Sequence, residues 1–173
     1  PFRNIREQVR HRPSMYVGGQ GSGGIHQLFY EILDNAVNEI MRGNADKIWV
    51  TLNPDGSLSI EDNGSGIPAG INYRTGLSGI ELAMTHVFDL RKAQKASYEV
   101  PANLSGVGLA VVNYLSAKCT VFVKAGDAAY QLDCERGLAT GSLEKIAYSG
   151  GDTGTTITFR PDPEIFGDSK YNT

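Results

Sequence analysis

The sequence predicts a two-layer α+β domain, an α/β sandwich in which a mixed and mostly antiparallel sheet is covered by helices on one face. Three observations carry this expectation. Helical periods and a hairpin share the front of the chain, the last third is a run of alternating strands, and 173 residues suffice for one core. One domain spanning residues 1–173 is therefore expected.

The totals narrow the function. A composition of 40% hydrophobic and 20% charged residues is ordinary for a globular chain. No apolar run approaches the roughly 18 residues of a membrane span, so a soluble protein without a membrane partner is expected. A net charge of −3 and a pI near 5.6 argue against the whole surface being a nucleic-acid footprint. Cys119 and Cys134 belong to no CxxC or Cys/His cluster and read as small core residues of a reducing compartment. The N-terminus has no apolar signal segment, which suits a cytoplasmic location. A first residue Pro1 and a tail GDSKYNT without a closing element suggest a fragment of a longer chain.

Residues 3–12, RNIREQVRHR, set Ile5 and Val9 four apart among charges, which predicts a short amphipathic helix ending before Pro13. Arg3, Arg6, Arg10 and Arg12 read either as phosphate contacts or as partners of acids elsewhere in the fold. The glycines of SMYVGGQGSGG predict a flexible loop running into a helix at His26. A Walker-type phosphate loop is excluded, because no Gly-Lys-Ser/Thr follows and no strand precedes. That leaves a mobile connection or a place where another chain packs.

The next stretch, HQLFYEILDNAVNEI, is the most informative. Leu28, Phe29, Ile32, Leu33, Ala36, Val37 and Ile40 recur at helical spacing and predict a buried stripe from His26 to Ile40. Glu31 and Asn35 lie one turn apart on one face, with Asn38 and Glu39 on the next turn. A face of carboxylates and carboxamides without Lys or Arg is either a solvated surface or an acidic rail. Such a rail would face a cation, or a water to be deprotonated.

After a C-cap at Arg42-Gly43-Asn44, the segment KIWVTLNPDGSLSIEDNG reads as a hairpin. Ile48, Val50 and Leu52 alternate, Asn-Pro-Asp-Gly turns, and Leu58 and Ile60 return. Asp62 then stands at the strand end, before a glycine bend in which backbone can approach a ligand closely. DNG is also a common turn. Residues 77–88 have a helical period. DLRKAQKASYEVPANLS is a 17-residue polar stretch that reads as a lid, about residues 89–108. Gly106-Val107-Gly108 closes it and opens the helix LAVVNYLSA, whose free N–H groups suit phosphate oxygens. The segments CTVFVKAG, AAYQLDCERG, SLEKIAYSG and TGTTITFRPDP read as antiparallel strands.

Taken in order, RPSMYVG, FYEILDNAVNE, EDNGSGIP, LSGVGLAVVNYLS and TGTTITFRPDP resemble the GHKL ATPase family. The RPxMYxG lead-in points to its type IIA topoisomerase branch, the ATPase subunits of DNA gyrase and topoisomerase IV. The resemblance runs from about residue 3 to about residue 163 and implies a Bergerat-type fold. It implies ATP and Mg²⁺ as cofactors, with Glu31 as the general base and Asn35 as the metal ligand. Asp62 matches the acceptor of the adenine amino group, and Thr155 its support through water. Gly66, Ile67 and Pro68 match the wall of the adenine pocket, Tyr98 a lid tyrosine, and Lys92 a phosphate contact. Gly106, Val107 and Gly108 match the phosphate-binding helix start.

The implied function is Mg-dependent ATP hydrolysis driving DNA strand passage or supercoiling by a type II topoisomerase. The alternative is a gyrase-like ATPase, or a binding-only nucleotide switch, in another DNA-handling or defence complex. The implied partners are DNA through the full-length enzyme, a topoisomerase A-type subunit, a second copy in a full-length homodimer, and competitive inhibitors of the pocket. The fragment itself is expected to be monomeric and slow. The chain departs from the family pattern in the lid, where Ala102 and Asn103 replace glycines and Glu99 replaces a lysine. It departs again at Ser65, which replaces an arginine expected to pair with Glu39.

Overall fold

A computed structural model describes residues 4–87 and 108–171. Seven strands form one sheet: β1 (Ile48–Leu52), β2 (Leu58–Asp62), β3 (Ser116–Ala125), β4 (Ala128–Glu135), β5 (Leu138–Ala139), β6 (Glu144–Ala147) and β7 (Thr153–Pro161). Their order is β1-β2-β7-β3-β4-β5, with β6 also on β4, and every pairing is antiparallel. The described helices are α1 (Ile5–His11), α2 (Ser14–Val17), α3 (Ser22–Met41), α4 (Gly79–Thr85), α5 (Gly108–Tyr114) and α6 (Pro163–Phe166). None is long and apolar enough to cross a membrane.

Side-chain alternation explains where the core sits. On the inner face the register aligns Leu58, Phe159, Cys119 and Cys134 in one row, and Ile60, Ile157, Val121 and Leu132 in the next. All eight are buried, with Ile25, Leu28 and Ile32 of α3 and Leu109 and Val112 of α5 completing the same cluster. Burial of this kind contributes roughly 1.5–3 kcal/mol per large side chain. The third row is Asp62, Thr155, Val123 and Tyr130. Two polar groups thus enter the inner face one row above an apolar floor. The cysteines face each other across β3 and β4 as free buried thiols; burial pushes both up, Cys134 to about 11.

Several boundaries differ from the sequence expectation. Helix α3 starts at Ser22 rather than His26, so Gly23 and Gly24 are helical. A Cβ on Gly24 would collide with the Gly19 carbonyl and stand 2.9 Å from Phe166. Glycine serves close packing here, and residues 14–17 are themselves a short helix. The buried positions of α3 include Ile25, Leu28, Ile32, Ala36 and Glu39, whereas Val37 and Ile40 are exposed. The stripe is therefore rotated at its end, because Glu39 finds partners inward. Helix α4 is shorter than 77–88, and α5 stops at Tyr114, where β3 takes over from Ser116.

The expected N-terminal helix forms, and for Arg10 the structure favours the ion-pair reading. Arg10 donates to Asp162 at 2.8 Å and to the Tyr114 carbonyl at 2.7 Å; Arg136 donates to Asp162 at 2.9 Å. Asp162 is fully buried, so these contacts pin α1 to the far end of β7.

Candidate functional site

The site lies where α3 crosses the polar row of the sheet. Asp62 ends β2 and is 6% exposed, while Thr155 faces it on β7 at 9%. Several contacts hold the DNG bend beyond Asp62. Gly64 N–H donates to Asp62 Oδ1 at 2.9 Å, Thr153 Oγ1 donates to the Gly64 carbonyl at 2.7 Å, and Ser65 reaches across to α3. Gly66 has φ +80°, and a Cβ there would stand 3.0 Å from Val123 and 3.1 Å from the Lys124 carbonyl. Glycine is needed both for the torsion and for the approach. Gly154, at φ +156°, passes the Asp62 carbonyl too closely for any side chain.

A cavity opens between these elements, lined by Ile32, Asn35, Ala36 and Glu39 from α3, and by Ile60, Asp62, Thr155 and Ile157 from the sheet. Gly66, Ile67 and Leu109 complete it. An apolar floor with a few convergent polar groups is the usual make-up of a small-molecule site. Pro68 stands beside it and makes a different contact: its carbonyl lies where a Cβ of Gly79 would fall, so it seats α4. A wider cleft of about 690 Å³ at the opposite end of the sheet, by the β1–β2 turn and α6, holds none of the sequence-selected residues.

Burial pushes the Asp62 carboxyl up. The Gly64 N–H works against that shift, and the neighbouring Glu39 adds to it. Both carboxylates crowd the bend: a Cβ on Gly64 would stand 2.6 Å from Glu39 Oε2 and 2.9 Å from Asp62 Oδ1. Glu39 is treated differently. Burial again opposes its charge, yet the Ser65 N–H at 3.0 Å, the Ser65 hydroxyl at 2.8 Å and Asn44 hold it below the usual carboxylate range. Arg42 adds an ion pair at 3.5 Å. The expected loss of Glu39's partner through Ser65 is thus corrected: the serine supplies two hydrogen bonds and Arg42 the positive charge.

At the other end of the cavity, Glu31 and Asn35 do share one face of α3. Asn35 Nδ2 donates to the Glu31 carbonyl at 3.1 Å, which leaves its Oδ1 as the available acceptor. Glu31 Oε1 accepts from Gln27 at 3.0 Å. Its Oε2 lies against Gly108, the first residue of α5, where any Cβ would collide with it. A carboxylate at a helix start can take a proton from a bound water, and a single amide oxygen can complete the shell of a hard cation. Among the described residues no group of three or more His, Cys, Asp or Glu forms a metal cage. That donor set suits Mg²⁺, which usually keeps several waters and takes one or two protein ligands plus substrate phosphates.

The structure therefore brings Asn35, Glu39, Asp62, Gly66, Ile67 and Thr155 together around one cavity, with Glu31 against Gly108 one turn along α3 from Asn35. Lys92, Tyr98, Gly106 and Val107 lie outside the described residues. The structure adds Gln27 and Gly154 to the residues that the sequence singles out, and gives Ser65, noted there only as a departure, a hydrogen-bonding role toward Glu39. Of these only Gln27 carries a sequence signal, its position one helical turn before Glu31.

A family model described as histidine kinase-, DNA gyrase B- and HSP90-like ATPase matches residues 21–165. The gyrase B protein of Thermus thermophilus is 44% identical over 167 residues, covering 96% of this chain and 26% of that protein. The gyrase B protein of Thermotoga maritima is 41% identical over 169 residues, with the same coverage. The chain thus spans about a quarter of the length of these relatives. The crystal structure of the 43K ATPase domain of Thermus thermophilus gyrase B, in complex with an aminocoumarin, superposes with a TM-score of 0.83 at 42% identity. The match covers 96% of this chain and 42% of that one.

Proposed function

The chain belongs to the histidine kinase-, DNA gyrase B- and HSP90-like ATPase family, and on that premise we propose that it is the ATP-hydrolysing domain of a type II topoisomerase. ATP binding goes with the family. Hydrolysis coupled to DNA strand passage, an A-type partner subunit, dimerisation of the full-length protein, a cytoplasmic location and inhibition by pocket competitors complete the proposal. The matches to gyrase B over 96% of the chain support the ATPase reading, and the aminocoumarin bound to the solved relative supports inhibition by pocket competitors.

The observation that carries the reading is the placement of Glu31 and Asn35 on one face of α3, between the α5 start and the Asp62 cavity. Adenine would enter the cavity with its amino group donating to Asp62, supported by Thr155 and walled by Gly66, Ile67 and Pro68. The phosphates would then reach the N-terminal end of α5. Its dipole and N–H groups would favour anions there, and Gly106, Val107, Lys92 and Tyr98, which lie outside the described residues, would contribute as the family resemblance implies. Asn35 Oδ1 would hold Mg²⁺, which when bound neutralises phosphate charge. Glu31 would accept the proton of the water attacking the γ-phosphorus as the bond to the β-phosphate breaks. Such a transfer asks mainly for positioning and charge neutralisation, so one base and one metal ligand are enough.

Two measurements test this reading. In the full-length protein, Glu31→Ala should retain binding of a non-hydrolysable ATP analogue and lose about 10²–10⁴-fold in turnover. Hydrolysis at the parental rate would remove the base assignment, and retained binding without any parental hydrolysis would favour the nucleotide switch. Calorimetric titration of the analogue with and without Mg²⁺ should show a metal dependence that Asn35→Ala abolishes. Equal dependence in both proteins would refute the ligand role.

A further inference from the structure

We propose that Arg6 of α1 and Arg136 of the β4–β5 turn form a second anion site, fitted to a phosphate group and separate from the nucleotide cavity. The arginines of RNIREQVRHR have two readings in the sequence, and the structure divides them. Arg10 is an ion-pair partner of Asp162; Arg6 is not. Among the described residues Asp162 and Glu164 take their cations from Arg10 and Arg136, and no ion pair includes Arg6. Three guanidinium groups thus gather at a corner that holds two carboxylates. None of these residues lines the nucleotide cavity, so the site stands whether or not the chain hydrolyses ATP.

The Arg6 head is held in place without an acid. Its Nε donates to the Arg136 carbonyl at 2.5 Å, which leaves its terminal NH₂ groups to donate elsewhere. Its stem lies along bare backbone, since a Cβ on Gly137 would stand 3.3 Å from Arg6 Cδ. Arg136 has φ +48° and is the single non-glycine residue in the left-handed region among the described residues. In that conformation its carbonyl meets Arg6 while its Nε and Nη2 donate to Asp162 and Glu164, leaving Nη1. Burial and the Arg10 and Arg136 charges push the Arg6 pKa down from its ordinary value, against Glu7 and Tyr114. The simpler account is a solvated arginine whose stem covers apolar surface. Such a head would extend into water, away from like charges, whereas this one is half-buried, bound to a carbonyl and crowded by two other guanidinium groups. The spare N–H groups of two arginines match phosphate oxygens, which take forked, charge-assisted hydrogen bonds.

The test is a titration of the parental chain with inorganic phosphate at constant ionic strength, balanced with chloride and read from the NMR signals of the arginine Nε–H groups. The Arg6 and Arg136 signals should shift saturably with phosphate. Arg6→Met should abolish the Arg136 shift. Its thermal midpoint in chloride should lie at or above the parental value, because the crowding of positive charge is relieved. A short DNA duplex added in place of phosphate separates the sources of the group. Movement of the same two signals by the duplex assigns a nucleic-acid backbone, and movement by phosphate alone assigns a free anion. The absence of a saturable shift with either probe overturns the site. An Arg136 shift that survives in Arg6→Met also overturns it, and so does a lower midpoint of Arg6→Met in chloride, which would make Arg6 a structural strut.

Discussion

Asp62 and Asp162 lie at opposite ends of β7, roughly 20 Å apart along the strand, and both are buried. Burial opposes the charge of each, but their surroundings answer it differently. Asp162 receives Arg10, Arg136 and the Glu164 N–H, which together hold its carboxyl below the ordinary range. Asp62 receives backbone N–H groups and a neighbouring carboxylate, and its carboxyl is pushed up. A closed set of partners makes a structural joint, here tying α1 and the β4–β5 turn to the end of β7. An incompletely matched acceptor at the edge of an apolar cavity retains capacity for a ligand donor, and this difference separates site from scaffold.

The comparison can be broken most forcefully at Asp162. Replacement by Ala takes the main partner from the mostly buried Arg10, while the half-exposed Arg136 keeps Glu164 at 3.0 Å, and should destabilise the fold by about 3 kcal/mol in urea unfolding. Nucleotide affinity of the protein that remains folded should be unchanged. A variant as stable as the parent would deny Asp162 its role as a joint.

Ser65→Ala is the next test in size. It removes the hydroxyl donor to Glu39 and keeps the N–H, so it should cost about 1 kcal/mol, a fall of about 2–4 °C in thermal midpoint. An unchanged midpoint would place Glu39's stabilisation on Arg42 and Asn44 instead.

The smallest effect is read in acid. Asp162's folded value lies below the ordinary 3.8, so its stabilisation is full above that value and is lost as pH falls through the lower one. Asp62's folded value lies above 3.8, so between the two values the folded state binds the proton more tightly and Asp62 itself favours folding as pH drops. Protonation over that same interval weakens it as the acceptor proposed for the adenine amino group. Analogue affinity should therefore decline at a higher pH than the circular dichroism of the fold. Coincident loss of both would remove the distinction.

How much of this is legible in the sequence follows from the range of each interaction. The period of α3 places Glu31 and Asn35 on one face, and alternation ends β2 at Asp62; both are local patterns. The Arg10–Asp162 pair joins residues 152 apart, and no spacing rule reaches that far. The Gly24 contact is hidden because a glycine run signals a loop, whereas here it permits backbone to meet backbone and a phenylalanine ring. Glu39 looks deprived of an arginine in the sequence, because the Ser65 hydrogen bonds arise only once the bend is folded against α3. Gln27 lies within reach of the helical period, but its link to Glu31 emerges only when both side chains turn inward.

The most direct test of the central claim is calorimetric titration of the parental chain and Asp62→Asn with a non-hydrolysable ATP analogue, alongside thermal unfolding of both. An uncharged amide relieves burial of the carboxylate and presents a weaker acceptor. Asp62→Asn should therefore unfold at or above the parental temperature while losing about 10–100-fold in affinity. Parental affinity in Asp62→Asn would contradict the account.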